Sequence, residues 1–350
     1  MELKKISVNT ASPELPRAKV LIIYTGGTFG MVKDKSGALV PFDFSLILEH
    51  LPTLRNLFLE LTVISFATPI DSSNINPYHW KLLAGIIHEN YVEQDGFVVL
   101  HGTDTMAYTS SALSFMLQGL NKPVIFTGAQ LPIAEPRSDA RENLITALEI
   151  ASAKLDGKAL VPEVCIFFGA QLIRGCRAKK VESRHFDAFH SENYPILAEA
   201  GVIIEYNLNA IRKADDKPLQ LIRGFNNNVA ILKLFPGITE PVINQILATP
   251  NLKGLVMETF GSGNSPTETW LVDALQSAIK NGLVIVNITQ CPGGMVEHGK
   301  YETSKFLEQI GVLSGKDMTT EAAITKLMIG LAESSDIKKF ILSSIAGERS

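Results

Sequence analysis

The feature that most constrains the fold is a rhythm. Short apolar runs rich in branched and aromatic residues alternate with stretches of helical spacing. In the first half of the chain the runs are residues 20–24, 61–67, 96–100, 123–127 and 164–168. Near-continuous apolar strands of this length belong to sheets covered on both faces. Strands that alternate with helices form a parallel, doubly wound sheet joined by right-handed crossovers. The expected class is α/β: a large, mostly parallel, doubly wound amino-terminal domain followed by a smaller carboxy-terminal α/β domain.

Helices are expected at 45–51, stopped by Pro52, and at 78–90, where Asn76 offers a cap and Pro77 takes the first position. After Met106 a further helix carries Met106, Leu113, Leu117 and Leu120 on one face. Another covers 137–155, with Gly157 beyond its end. The stretch 34–37 is polar and reads as a loop. Residues 207–220 turn polar around Asp215 and Asp216 and are the expected linker between domains at 1–206 and 221–350. Beyond it, runs at 229–234, 254–257 and 283–288 supply three more strands. Ile324, Leu327, Met328 and Leu331 form the stripe of a late helix.

Composition narrows the function classes. The 350 residues carry a net charge of −4, so the basic footprint that nucleic acid or an anionic membrane demands is missing. The three cysteines show no CxxC pairing, and no HExxH occurs, so no metal site is expected. Residues 1–19 are charged and lack the apolar core of a secretory signal, and no run is long enough to span a bilayer. A cytoplasmic, free-thiol protein is the expectation.

Two of the runs end in hydroxyls and glycines: Thr25-Gly26-Gly27-Thr28 and His101-Gly102-Thr103-Asp104. In a parallel sheet both lie at the carboxyl edge, where ligands bind. A hydroxyl such as Thr28 becomes a useful nucleophile only beside a base. Lysine serves when burial or a neighbouring cation lowers its pKa, and Lys179 and Lys180 follow the fifth run. Asp104 suits a ligand cation, and the Asp71-Ser72-Ser73 turn suits a carboxylate. Together they describe a pocket for a small zwitterion that presents an acyl group to a threonine. The plainer readings are a Thr cap on a Gly-Gly turn, a carboxylate at a helix start for Asp104, and a solvated loop for Arg174–Lys180. His101 reads as a packed neighbour, Arg137 and Asp139 as an ion pair at a helix start, and Cys291 as a buried thiol.

The ordered set Thr25-Gly-Gly-Thr28, Asp71-Ser-Ser73, His101-Gly-Thr-Asp-Thr-Met106, Lys122-Pro-Val-Ile-Phe-Thr-Gly128, Arg137-Ser-Asp139, Phe186-Asp-Ala-Phe189 and Thr289-Gln-Cys291 resembles the bacterial-type asparaginases, nearest the cytoplasmic type I branch. The likeness runs from Lys19 almost to the end of the chain. It implies hydrolysis of L-asparagine to L-aspartate and ammonia with no cofactor or metal. Thr28 would be the nucleophile of an acyl-enzyme. Lys180 would take the proton of Thr103, which then activates water or assists the leaving group. Asp104 would hold the substrate α-ammonium, and Asp71, Ser72 and Ser73 would line its carboxylate side. The likeness further implies a homodimer or homotetramer with active sites near subunit interfaces. There the turn Phe260-Gly-Ser-Gly-Asn264 reaches in from a neighbour with Asn264, whose plainer reading is a left-handed turn residue.

Two positions depart from the pattern. Many relatives carry a Tyr in the loop after the first threonine, whereas residues 35–41 have none and Ala38 stands there. Type I enzymes with a regulatory asparagine site use an Arg where this chain has Glu258. A dinucleotide site is disfavoured because Thr25 occupies the first glycine position of that fingerprint. An amidase for glutamine or another carboxamide, and a non-catalytic amino-acid sensor on the same fold, are the remaining alternatives.

Overall fold

The computed structural model describes residues 2–11, 13–33, 39–41, 51–214, 217–299 and 302–350. The helix expected at 45–51 (Leu51 excepted) and the loop at 34–37 lie outside the described residues, as does Ala38. The chain divides into two compact units, Met1–Leu221 and Ile222–Ser350.

The first unit is built on a nine-stranded sheet. Its strands are β1 (Leu3–Asn9), β2 (Ala18–Tyr24), β3 (Leu59–Phe66), β4 (Gly96–Leu100), β5 (Val124–Thr127), β6 (Val164–Phe168), β7 (Gln171–Arg174), β8 (Ala198–Ala200) and β9 (Ile204–Tyr206). They lie in the order β1-β3-β2-β4-β5-β6-β7-β8-β9. The five central strands, β3 to β6 in that order, are parallel and correspond to the five apolar runs. The outer strands are antiparallel, so the sheet is mixed. Val20 to Ile23 in β2 are wholly buried, as a strand covered on both faces requires. By contrast β1 is mostly exposed and places Lys4 and Lys5 along a sheet edge, where charge discourages further pairing.

Three helices in this unit bear on the site. In α1 (Pro77–Glu89) the Asn76 side chain accepts from Tyr78 N–H and His79 Nδ1 accepts from Asn76 N–H, which closes a capping box. Helix α2 (Met106–Met116) is buried on nearly every face. Leu117 and Leu120 lie past its end, and Leu117 pairs with Leu221 in a two-residue ladder instead. Helix α3 (Ala140–Ser152) begins where Asp139 accepts from Gln130 N–H, Leu131 N–H and Asn143 Nδ2. Asp139 therefore serves backbone amides, not the Arg137 partnership expected from sequence. Residues 207–214 and 217–220 fall inside this first unit.

The second unit holds a four-stranded, all-parallel sheet in chain order: β10 (Val229–Lys233), β11 (Gly254–Thr259), β12 (Val284–Thr289) and β13 (Leu313–Ser314). Helices α4 (Glu240–Leu247), α5 (Thr269–Lys280), α6 (Glu302–Gln309), α7 (Thr320–Glu333) and α8 (Ile337–Leu342) accompany it. Leu232, Leu255, Met257, Leu271, Leu275 and Ile285 form its core. Helix α7 also buries Lys326 completely. The ammonium donates to Ile341 O, Ser343 O and the Glu348 carboxylate, which in turn accepts from Ile345 and Ala346 N–H.

Removing one member of a buried ion pair strands its partner, at roughly 3–5 kcal/mol. Lys326→Met should lower the unfolding free energy by about that amount. Chemical denaturation followed by circular dichroism checks this, and a loss below about 1 kcal/mol would show that Glu348 finds other compensation.

Candidate active site

The site begins with strand register. β2 and β4 are in step from Val20 opposite Gly96 to Tyr24 opposite Leu100, so they end level. The chain leaving β2 is tied to that end: Thr25 N–H and Thr25 Oγ1 both donate to Leu100 O, at 3.0 and 3.1 Å. Ile70 N–H, one residue before Asp71, donates to Thr25 O at 2.8 Å. Three turns therefore meet at the carboxyl edge of β3, β2 and β4.

They meet at very short range. Gly26 and Gly27 have φ of +135° and +85°, which L side chains rarely adopt. A Cβ on Gly26 would stand 2.4 Å from the Ile70 backbone, and one on Gly27 would stand 2.6 Å from Gly102 Cα. A Cβ on Gly102 would strike Ser72 at 2.6 Å. Thr28 and Thr103, each one residue beyond these glycines, thus leave turns that are in backbone contact. Thr28 is exposed on a single 3-10 turn whose Phe29 is buried behind it. A tyrosine meets this turn from beneath, for the Tyr24 ring abuts Gly30. Burial raises the Tyr24 phenol well above its ordinary pKa of 10.0 and keeps it protonated.

The second threonine has its lysine in place. Lys180 Nζ lies 2.8 Å from Thr103 Oγ1 and 2.7 Å from Asp104 Oδ1. Lys180 is largely covered, whereas the Asp104 carboxylate is largely open to solvent. Ser72 Oγ accepts from Asp104 N–H at 3.3 Å, and Thr105 Oγ1 donates to Ser72 O at 2.6 Å, which pins the Ser72 turn to the Thr103–Thr105 turn. Asp71 Oδ1 accepts from Ser73 N–H and Ser73 Oγ, and these bonds, the backbone one foremost, lower its pKa below the ordinary 3.8.

Lys179 and Lys180 form a two-residue ladder with Phe189–His190, Lys180 opposite Phe189. Successive strand residues point to opposite faces, so only one of the two lysines can address Thr103. The stretch before them is no solvated loop: Arg174, Gly175, Cys176, Arg177 and Ala178 are all buried. Arg174 donates to Glu163 and to Ala210 O.

His101 supports the site from inside. Its Nδ1 lies 2.6 Å from Gly102 O, an acceptor, which assigns the proton to Nδ1. Nε2 then accepts from Thr109 Oγ1 at 3.0 Å, and Thr109 itself accepts from Trp80 Nε1. Burial, opposed by the Gly102 carbonyl, pushes the imidazole down to about 4. His101 is thus a packed neutral residue, as its sequence context suggested.

In the second unit, the turn Phe260–Asn264 closes through reciprocal bonds between the two end residues. Gly261 and Gly263, with φ of +48° and +103°, take the left-handed conformations, and Asn264 does not. Thr289 Oγ1 donates to Gly261 O and Asn287 Nδ2 donates to Gly263 O. Glu258 is engaged by Thr320 Oγ1 at 2.6 Å and by Lys233 at 3.7 Å. Cys291 is exposed, which corrects the expectation of a buried thiol; Cys165 and Cys176 are buried. Among the described residues no cluster of three His, Cys, Asp or Glu is placed to hold a metal, and no helix is long and apolar enough to cross a membrane. A hollow of about 390 Å³ with Asp95, Lys122, Lys154 and Lys158 in its wall lies near the amino ends of β4 and β5 and shares no residue with this site.

Fold and site define a two-unit α/β protein with a threonine–lysine centre at the sheet's carboxyl edge. The chain belongs to the asparaginase family: residues 19–212 match Asparaginase, N-terminal, and residues 228–340 match the Glutaminase/Asparaginase C-terminal domain. It is 38% identical to L-asparaginase 1 of Escherichia coli (strain K12), over 95% of this chain and 98% of that one. It is 42% identical to the 60 kDa lysophospholipase of Homo sapiens over 94% of this chain, which spans 61% of that longer protein. The crystal structure of L-asparaginase I from Vibrio cholerae superposes with a TM-score of 0.86 at 37% identity, covering 95% of this chain and 99% of that chain.

Acidification should reveal the buried imidazole. An unfolded chain takes up a proton near 6.5, whereas folded His101 resists until about 4. Its contribution to stability is complete above pH 6.5 and is lost as pH falls toward 4, by about 3 kcal/mol. Denaturation series at pH 7 and pH 4 on the wild type and on His101→Gln check this. The variant should lose about 3 kcal/mol less across that interval.

Proposed function

We propose that the chain is an L-asparagine amidohydrolase that works through a threonine nucleophile. The observation that carries this reading is Lys180 Nζ at 2.8 Å from Thr103 Oγ1, beside the turn that presents Thr28. Thr28 Oγ attacks the carboxamide carbon, and the tetrahedral intermediate collapses to an acyl-enzyme as ammonia departs with a proton. Water, activated through Thr103 and Lys180, then attacks the ester carbon, releases L-aspartate and returns the proton to Thr28. Each hydroxyl needs such a neighbour because it is a poor nucleophile at neutral pH. Asp104 keeps one carboxylate oxygen for the substrate α-ammonium while the other holds Lys180. Asp71, Ser72 and Ser73 line the α-carboxylate side. Backbone N–H groups near Gly27 and Thr103 steady the oxyanion, at roughly 3 kcal/mol per donor.

Near-complete two-way coverage of the Escherichia coli L-asparaginase 1 supports this substrate over others. We further infer, from the family resemblance, a cytoplasmic homodimer or homotetramer in which Asn264 of one subunit approaches the site of its neighbour. The reaction as written uses no cofactor.

Ammonia-release kinetics on asparagine, glutamine and a panel of other carboxamides test the substrate. The expected ranking places kcat/KM for asparagine first by at least about tenfold, roughly the 1–3 kcal/mol that one methylene is worth in a fitted pocket. Equal values for glutamine would move the assignment to a broader amidase, and no ammonia from any amide would leave a binding protein.

Thr28→Ala and Thr103→Val should each cut turnover by at least about 10³-fold with the fold unchanged by circular dichroism. Lys180→Met should cost far more than Lys179→Met. Full turnover in the Thr28 variant would refute the nucleophile.

A further inference from the structure

Helix α2 carries four buried hydroxyls, Thr109, Ser110, Ser111 and Ser114. Buried serines inside a helix are costly unless each hydroxyl is bonded. Thr109 is taken by His101 and Trp80, and Ser114 Oγ donates to Ser110 O within the helix. Ser110 and Ser111 reach outward instead. Ser110 Oγ donates to Gly175 O at 3.0 Å, sharing its proton with Ala107 O, and Ser111 Oγ approaches the same carbonyl at 3.4 Å.

Gly175 is a glycine for reasons of space. A Cβ there would stand 3.0 Å from both Ser110 Cβ and Val164 O. Its other side is fixed by Arg174, whose guanidinium is bonded to buried Glu163 and to Ala210 O. Two rigid paths leave this seam. One runs back along α2 to the Thr103–Thr105 turn, seven residues and about 10 Å of helix away. The other runs forward through buried Cys176, Arg177 and Ala178 to Lys180. The two paths meet again where Lys180 Nζ touches Thr103 Oγ1.

We propose that Ser110, assisted by Ser111, is a positioning residue that sets Lys180 against Thr103 by holding the carbonyl of Gly175. The proposal rests on the amidohydrolase reading for its kinetic consequence and on geometry alone for its structural one. Without the Ser110 hydroxyl the Gly175–Arg177 turn rides away from α2 and carries Lys180 Nζ out of hydrogen-bond reach. A misplacement near 1 Å is worth up to about 10²-fold in rate.

The test compares wild type, Ser110→Ala and Ser114→Ala, the last a control whose hydroxyl bonds within its own helix. Crystal structures should show Lys180 Nζ beyond hydrogen-bond reach of Thr103 Oγ1 in Ser110→Ala and still within it in Ser114→Ala. An unmoved Nζ in Ser110→Ala overturns the proposal whether or not asparagine is the substrate. On asparagine, Ser110→Ala should lower kcat by about tenfold or more with KM within about twofold, while Ser114→Ala keeps wild-type values. In a Lys180→Met background the Ser110→Ala change should add less than about twofold, because the group it positions is gone. Equal losses in the two serine variants, or a full further loss in the Lys180→Met background, refute the positioning role. Gly175→Ala loads the same seam from the opposite side and should displace Nζ likewise, which keeps the test available if Ser110→Ala fails to fold. A wild type that releases no ammonia from asparagine sinks the functional reading and leaves the structural comparison to decide this one.

Discussion

The site depends on a backbone contact closer than side chains allow. Gly27 abuts Gly102, Gly26 abuts Ile70, and Gly102 abuts Ser72, each within a distance that a Cβ would fill. Parallel strands β2 and β4 end level, so the turns that follow them must share one small volume. With ordinary residues those turns would splay apart and the two threonines would be separated by side-chain bulk. Glycine here therefore does two jobs at Gly26 and Gly27: it takes a positive φ and it vacates space. The convergence of the Thr28, Asp71–Ser73 and Thr103–Asp104 turns is a consequence of sheet order plus missing methyl groups.

Much of this was legible in the chain. The five central strands are buried on both faces, so their apolar runs announce them, and the glycines beside Thr28 and Thr103 announce the turns. The antiparallel strands were not legible, and the reasons differ. β1 is an exposed edge whose lysines mask any period-two pattern. β7 runs straight into Arg174, and its charge concealed a fully buried segment because the Glu163 partner lies 11 residues away in sequence. A similar blindness affected Asp139, which satisfies backbone amides and not the nearby Arg137. Cys291 follows an apolar strand, β12, yet emerges into an exposed glycine-rich turn. Helix α2 read as an apolar face, but its end at Met116 excludes Leu117 and Leu120, and its serines are what its neighbours grip.

Buried polar groups do in this protein what apolar packing cannot do: they fix angles. An apolar contact tolerates sliding, whereas a buried donor is committed to one acceptor because leaving it unmade costs its full desolvation. His101 shows the principle beside the site. Its ring is neutral, wedged between Gly102 O and Thr109 Oγ1, and it links the Thr103 turn to α1 through Trp80. Glu163 and Arg174 do the same for the approach to Lys180. Such groups contribute little net stability in comparison with a well-packed core. Their value is directional.

Direction settles which lysine faces Thr103, a choice left open by Lys179 and Lys180 standing side by side. Strand parity decides it, and the ladder with Phe189–His190 sets the parity. Phe189 is buried and packs edge-on against Phe168 in β6, with ring centroids 5.3 Å apart. Its burial leaves the ladder one way up. Turning the ladder over as a unit would expose Phe189, bury His190 in its place and turn Lys179 toward Thr103. The hydrophobic cost of that exchange, about 2 kcal/mol for withdrawing one large apolar side chain, guards a contact between two polar atoms. The chemistry at Lys180 is thus specified partly by an aromatic pair that touches neither the threonine nor the substrate.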